Sequence, residues 1–243
     1  MPSKPPRYRR VLLKVSGEAL MGDQSFGIEP ETLGKVAREI QGLQTKGIEV
    51  AVVVGGGNIF RGLKAGEYGI GRVPADHMGM LATVINGIAL GEALKGRGVE
   101  TRVMSAVEMN EIAEPYIRSR AVDHLHKGRV VIFTAGTGNP FFSTDTAATL
   151  RALEIQAGVF LKATKVDGVF DADPAEVPTA KRFSRLTYDQ VLAMNLKVMD
   201  LTSVSLAKDQ GLPIVVFNMK RPGNIERAVF GEDVGTLISG GES

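Results

Sequence analysis

Ile48-Glu49-Val50-Ala51-Val52-Val53-Val54-Gly55-Gly56-Gly57 decides the fold. An apolar run dominated by β-branched valines and cut off by three glycines reads as a buried strand ending in a tight turn. Upstream, Val11 to Val15 is a second short apolar run. Between Ile28 and Gln44, Leu33, Val36, Ala37, Ile40 and Leu43 recur at the three-to-four spacing of a helix. Downstream, helical periodicity returns from Asp76 to Leu94 through Met78, Leu81, Ile85 and Ile88. Further strands are expected near Val99 to Met104, Arg129 to Ala135, Val159 to Ala163 and Pro213 to Asn218. Helices are expected near Thr144 to Gln156, Tyr188 to Met194 and Val198 to Gln210. Strands that are apolar throughout and alternate with helices predict an α/β fold, a mainly parallel central sheet with helices on both faces. In such sheets ligands bind beyond the carboxyl ends of the strands, and the candidate residues are sought there.

The 243 residues fit a flexible tail over 1–9 and one large domain over 10–243, with a functional division near residue 160. A net charge of +2 gives no reason to expect sequence-independent nucleic-acid binding. The absence of cysteine excludes disulfides, thiolate metal sites and a cysteine nucleophile, and fits a reducing cytoplasm. Val11 to Leu13, stopped by Lys14, is too short for a signal-peptide core. No uninterrupted apolar run approaches the roughly 18 residues of a membrane span, so a soluble protein is expected.

Four segments are placed to carry chemistry. In Lys14-Val15-Ser16-Gly17 a lysine interrupts an apolar strand just before a small turn. A buried ammonium needs an anion, although a strand-end lysine can also reach out to solvent. Gly55-Gly56-Gly57-Asn58-Ile59-Phe60-Arg61-Gly62 offers backbone N–H groups and a guanidinium to a phosphate, more glycine than a turn requires. It fits neither the dinucleotide fingerprint, since Phe60 stands at the third glycine, nor the Walker A loop, since Leu63 follows Gly62. Ala135 to Asp145 joins flexible glycines, hydroxyls, an amide and two aromatics to a helix start, where Thr144 and Asp145 would ordinarily be a cap and a first-turn residue. The aromatic pair in this loop is more often core than a stacking platform. Lys162 to Pro174 brings two lysines off a strand into a turn rich in aspartate. His124 and His126 read as a solvated helix end, and no Gly-x-Ser-x-Gly elbow supplies a hydrolase nucleophile.

In this order and spacing the segments resemble the bacterial uridylate kinases of the amino acid kinase superfamily, from about Arg10 to about Ser239. The strongest stretches are Leu13 to Leu20, Gly55 to Gly62, Asp76 to Thr83, Ala135 to Asp145, Lys162 to Asp173, and Lys197-Val198-Met199-Asp200. The resemblance implies that Lys14, Val15, Ser16, Gly17, Gly57 and Arg61 meet the phosphates of ATP, and that Thr164, Phe170 and Asp173 surround its nucleoside. It implies a UMP site made by Gly56, Asp76, Thr137, Gly138, Asn139, Pro140, Phe141, Phe142, Ser143 and Thr144. Lys14, Asp145 and Asp200 fall at the positions near the transferring phosphate, residues 10–160 on the acceptor side and 161–243 on the ATP side. Ser143 stands where many relatives have threonine and keeps the hydroxyl.

The implied reaction moves the γ-phosphoryl group of ATP to UMP, with Mg²⁺ held mainly by ATP oxygens and no protein metal ligands. The resemblance also implies a cytoplasmic homohexamer. Gly22 to Gly27 matches a region linked in some relatives to activation by GTP, and regulation by GTP or UTP varies among them. A phosphate acceptor already largely dianionic at neutral pH needs no general base, which accounts for the lack of a catalytic histidine. Lys162 or Lys165 would supply a further cation. The competing readings are a sibling kinase acting on a carboxylate or carbamate, and a nucleotide sensor without turnover.

Overall fold

The computed structural model describes residues 5–61, 69–174, 176–177, 179–196 and 198–241; residues 1–4 of the expected tail, and Gly62 and Lys197 of the quoted motifs, lie outside them. Among the described residues nine strands form one sheet in the order β4-β3-β5-β2-β1-β6-β8-β9-β7. They are β1 Arg10–Val15, β2 Glu49–Val54, β3 Thr101–Ser105, β4 Glu114–Pro115, β5 Val130–Thr134, β6 Val159–Thr164, β7 Arg185–Thr187, β8 Ile214–Asn218 and β9 Gly235–Ser239. Only β9, antiparallel to β8, and its partner β7 run against the other strands. The central strands β1, β2, β5 and β6 are buried on both faces, as their unbroken apolar sequences require.

The helices are α1 Pro30–Gln44, α2 Arg72–Lys95, α3 Arg118–His126, α4 Thr144–Glu154, α5 Tyr188–Ala193, α6 Leu201–Gln210 and α7 Asn224–Val229. Residues of α1, α2 and α7 join one core with Val11, Leu13 and Val15 of β1, while α3, α4, α5 and α6 pack on the other face with Leu12. The result is three layers, helix on sheet on helix. Within the segment expected to be a loose tail, Tyr8 packs against the first of these cores.

The α2 helix has two unlike faces. Met78, Leu81, Ile85 and Ile88 do recur at helical spacing, but they face outward, and Leu81 and Ile85 are 55% and 50% exposed. On the buried side Gly87 and Gly91 stand among Val84, Leu90 and Leu94. A Cβ at Gly87 would strike Thr134 and one at Gly91 would come within 3.1 Å of Val103, so the missing side chains let the helix lie close on β3 and β5. By length and composition α2 also resembles a membrane span, yet half of that stretch is buried inside the protein. Of α3 the sequence shows only an end at His124 and His126, its Arg-Ser-Arg-Ala-Val-Asp-His-Leu-His stretch being mostly polar, and it gives no sign of the short elements β4, β7, β9 and α7.

The turn after β1 lies against the turn after β2. A Cβ on Gly17 would stand 2.7 Å from the Gly57 nitrogen and 2.8 Å from the Gly55 carbonyl oxygen, both main-chain atoms. Gly17→Ala is expected to lower stability by about 1–3 kcal/mol, the usual cost of overpacking, read from urea melts. Gly34→Ala, where nothing lies within 4 Å of the added atom, is the matched control.

Candidate active site

Lys14 on β1 and Lys162 on β6 are register partners in adjacent parallel strands. Each lies two residues beyond a core residue of the α4 face, Leu12 or Phe160, so both ammonium groups rise on that face. Both lysines are buried. Two buried like charges on neighbouring strands require a counter-charge. Asp145, in the first turn of α4, supplies it to both: its Oδ1 is 2.9 Å from Lys14 Nζ, and its Oδ2 accepts from Lys162 Nζ at 2.6 Å. Lys162 also donates to the Val198 carbonyl. Burial pushes the Asp145 carboxyl up, but Lys14 and Lys162 together outweigh it and hold its pKa below the ordinary aspartate value. Burial, seconded by Lys14, lowers the pKa of Lys162 against the pull of Asp145. Lys165 takes no part; it is exposed and lines a separate cavity between α1 and α7.

Ser143, not Thr144, caps α4: its hydroxyl accepts from the N–H groups of Asp145 and Thr146. The same hydroxyl donates to Asp200 Oδ2. Asp200 Oδ1 accepts from Thr146 Oγ1 at 2.7 Å and from the Ser203 N–H at 2.8 Å, which caps α6. Asp200 therefore joins two helix starts; no described hydrogen bond links it to Lys14 or Lys162, though its charge helps hold the Lys162 pKa up. Thr149 and Ser203 add a buried hydroxyl pair between the same helices at 2.7 Å.

Ser16 caps the short 3-10 turn Gly17–Met21, and Val15 is core. Beneath the glycine turn after β2, Asn58 and Asn86 form a buried reciprocal amide pair at 3.0 and 2.6 Å. Arg61 turns back, donating to the Gly57 carbonyl at 3.1 Å and pairing with Glu18 at 2.7 Å. Gly56 rests on α2, where a Cβ would lie 2.9 Å from the Gly79 carbonyl oxygen.

The loop from Ala135 to Ser143 follows β5. Asp76 Oδ2 accepts from the Phe141 N–H at 2.7 Å and from Arg72 Nε at 2.8 Å. Burial raises the Asp76 pKa, but Arg72 and the Phe141 N–H overcome it, and the carboxyl titrates below its ordinary value. Thr137 closes a small turn on Asn139, and Gly138, at φ +79°, approaches the Ala106 carbonyl where a Cβ would lie 3.0 Å away. Phe141 and Phe142 are 66% and 53% exposed, so this pair is a surface feature and not core. Pro140 lies between the two N–H groups so anchored, and Thr144 opens the helix.

Thr164 ties the end of β6 to β8 by donating to the Phe217 carbonyl at 3.1 Å. Phe170 bridges to Arg182, and Asp173 lies farther along the same connection, where its carbonyl accepts from Val177 N–H at 2.8 Å. No described contact joins Phe170 or Asp173 to the lysine pair. The expectation of a solvated histidine pair fails for His124, which is buried against Glu114 at 3.0 Å and Arg129 at 3.1 Å because α3 turns it inward; His126 stays exposed beside Arg10.

Some contributors escaped sequence reading. Arg151 is buried behind the loop, reaching the Gly136 carbonyl at 3.4 Å, binding Glu154 at 2.6 Å and lying 3.9 Å from the Tyr116 ring centroid. Asn86 is a polar residue within an apolar stretch of α2, the one signal that would have drawn attention to it. Thr83 and Thr146 carry no such signal.

Residues 9–218 match the amino acid kinase family. The chain belongs to that family. This amino acid kinase fold is similar over 97% of its length to 97% of a UMP kinase from Bacillus anthracis, at 45% identity and TM-score 0.94. It matches a UMP kinase from Ureaplasma parvum at 36% identity and TM-score 0.91, covering 96% of this chain and 99% of that one. A uridylate kinase from Archaeoglobus fulgidus matches at 29% identity and TM-score 0.74, covering 94% and 99%.

Asp145→Asn leaves two buried ammonium groups without their carboxylate, and is expected to cost about 3 kcal/mol at neutral pH. A carboxyl with a lowered folded pKa stabilises fully above its unfolded value, about 3.9, and loses that contribution as pH falls through the folded one. The gap between wild type and variant in denaturant melts should therefore narrow below about pH 4. A gap that stays constant into stronger acid would remove the charge pairing as its cause.

Proposed function

We propose that this chain is an ATP-dependent UMP kinase, transferring the γ-phosphoryl group of ATP to UMP to give UDP and ADP in pyrimidine nucleotide synthesis. The observation that carries the reading is the pair of buried ammonium groups, Lys14 and Lys162, held side by side by Asp145 where a glycine turn and a helix start converge. Two polyanions brought end to end repel, and fixed cations between them offset that repulsion as charge shifts in the transition state. The similarity to UMP kinases at 45% and 36% identity supports the choice of acceptor within the family.

In this mechanism an oxygen of the UMP phosphate attacks the γ-phosphorus, and the bond to the β,γ-bridging oxygen breaks. No proton need move, since the second pKa of a phosphate monoester is about 6. Lys14 and Lys162 hold charge on the moving group, and the N-terminus of α4 adds its positive dipole end. Asp145 positions both lysines. The donor phosphates lie on Lys14, Val15, Ser16, Gly17, Gly57 and Arg61, with Arg61 leaving Glu18 to reach them, and the nucleoside lies by Thr164, Phe170 and Asp173. UMP lies on Gly56, Asp76 and the run Thr137 to Thr144, with exposed Phe141 and Phe142 beside the base. Residues up to about 160 thus serve mainly the acceptor and the remainder the donor.

Mg²⁺ supplies charge neutralisation across the donor phosphates. Both oxygens of Asp145 face lysines and both of Asp200 accept hydrogen bonds, which suits an ion held mainly by ATP. Asp200 serves the reaction by fixing Ser143 and α6.

Self-association is part of the proposal. Leu81, Ile85 and Ile88 form an exposed apolar stripe on α2, the kind of surface that a second copy covers, and a cytoplasmic homohexamer is the assembly proposed. GTP as activator, acting through Gly22 to Gly27, and UTP as inhibitor complete it. Sedimentation should show an oligomer that Ile85→Asp reduces in size; a wild-type monomer at micromolar concentration would remove this part.

The decisive assay follows ADP release with UMP, CMP, dUMP, acetylglutamate and carbamate as acceptors. UMP is expected to be the preferred acceptor, and Lys14→Met to lower kcat by about 10²-fold or more while UMP still binds. Turnover with a carboxylate and none with UMP would reassign the chain to a sibling kinase. Binding of both nucleotides without ADP release would mark it as a sensor.

A further inference from the structure

We infer that α2 sets the distance between the donor and acceptor loops, with Thr83 and Asn86 as its positioning residues; this rests on the phosphoryl-transfer reading of those loops. Two non-glycine residues of the acceptor loop, Ala135 and Phe141, have left-handed backbone at φ +59° and +73°. Such conformations persist only where the surroundings enforce them. In both cases the N–H is held by a side chain of α2: Thr83 Oγ1 accepts from Ala135 at 2.7 Å, and Asp76 Oδ2 accepts from Phe141 at 2.7 Å. Thr83 is itself aimed by donating to the Met80 carbonyl at 2.6 Å.

The donor loop is held by the same helix. Asn86 Nδ2 donates to the Gly55 carbonyl at 2.7 Å and to Asn58 Oδ1 at 2.6 Å. Asn58 Nδ2 returns one bond to Asn86 at 3.0 Å and gives the other to the Gly27 carbonyl at 2.9 Å. Every N–H of the two amides is thereby used, and Asn86 is fully buried. Gly56 presses onto the helix main chain between these anchors, with a Cβ position 3.2 Å from the Thr83 nitrogen.

Thr83 and Asn86 are three residues apart on one face, about 4.5 Å along the axis. One rigid turn of helix therefore separates the anchor of the loop that would hold UMP from the anchor of the loop that would hold ATP phosphates. Neither side chain reaches the lysine pair in the described contacts, so each acts through its loop. A misplacement of about 1 Å between reacting groups is enough to cost about 10²-fold in rate.

The test uses the full chain. Thr83→Val keeps the volume and loses the hydroxyl; it should weaken UMP binding by about tenfold while ATP binding stays within about twofold, and Thr83→Ser should restore it. Asn86→Asp removes both N–H donors, and Asn86→Leu does so without a buried charge should the first not fold. Either should weaken Mg²⁺-ATP binding by about tenfold and UMP binding clearly less, since of that loop only Gly56 would lie on UMP. Calorimetric titration of Mg²⁺-ATP and of UMP separately reads both arms without turnover, so failure of wild type to make UDP would count against the kinase reading alone. Equal weakening of both nucleotides by the Thr83 and Asn86 variants, or no change in either, would overturn the inference.

Discussion

One carboxylate between two lysines sets the terms for the rest of the structure. Lys14 and Lys162 sit opposite one another on strands that hydrogen-bond directly, and backbone pairing gives them no freedom to move apart. Burying them together is tolerable because Asp145 faces both. That requirement fixes where α4 begins, and the helix start in turn fixes Ser143 as its cap and brings Asp200 to meet that cap. The site is thus a consequence of charge balance in a buried layer as much as of contacts aimed at a ligand.

The same economy of position is visible in α2. Leu81, Ile85 and Ile88 point away from the sheet, and Gly87 and Gly91 point toward it. Close approach lets short side chains, a threonine, an asparagine and an aspartate, reach the main chain of two different loops. A helix kept at ordinary distance by large residues would have left those loops to hold their own strained turns. Both loops meet the charged layer at the carboxyl ends of β1, β2, β5 and β6, the edge where parallel strands release their chains into turns.

Much of this was legible in the sequence. Continuous apolar runs over Val11 to Val15 and Ile48 to Val54 announced strands buried on both faces, and Gly55-Gly56-Gly57 marked the turn. Lys14 stood out because an ammonium in such a run needs an anion. Periodicity alone located a helix over Asp76 to Leu94 but did not say which side faces the core, since a hydrophobic stripe says only that a face seeks cover and not what covers it. Likewise only the end of α3 was legible, because a mostly polar sequence hides the face of Ala121, His124 and Leu125 that turns inward, and with it the burial of His124.

The sequence by itself determined the alternation of buried strand and helix, the places where glycine permits a turn, and the residue types available at each strand end, because these follow from local periodicity and covalent geometry. Only the tertiary structure decided that Lys162 and not Lys165 joins Lys14, that Ser143 rather than Thr144 caps α4, and that Asn86 reaches the Gly55 carbonyl. Those outcomes depend on strand register and on how closely a helix approaches a sheet. Both are relations between segments far apart in the chain, set when the layers pack and not by any stretch read alone.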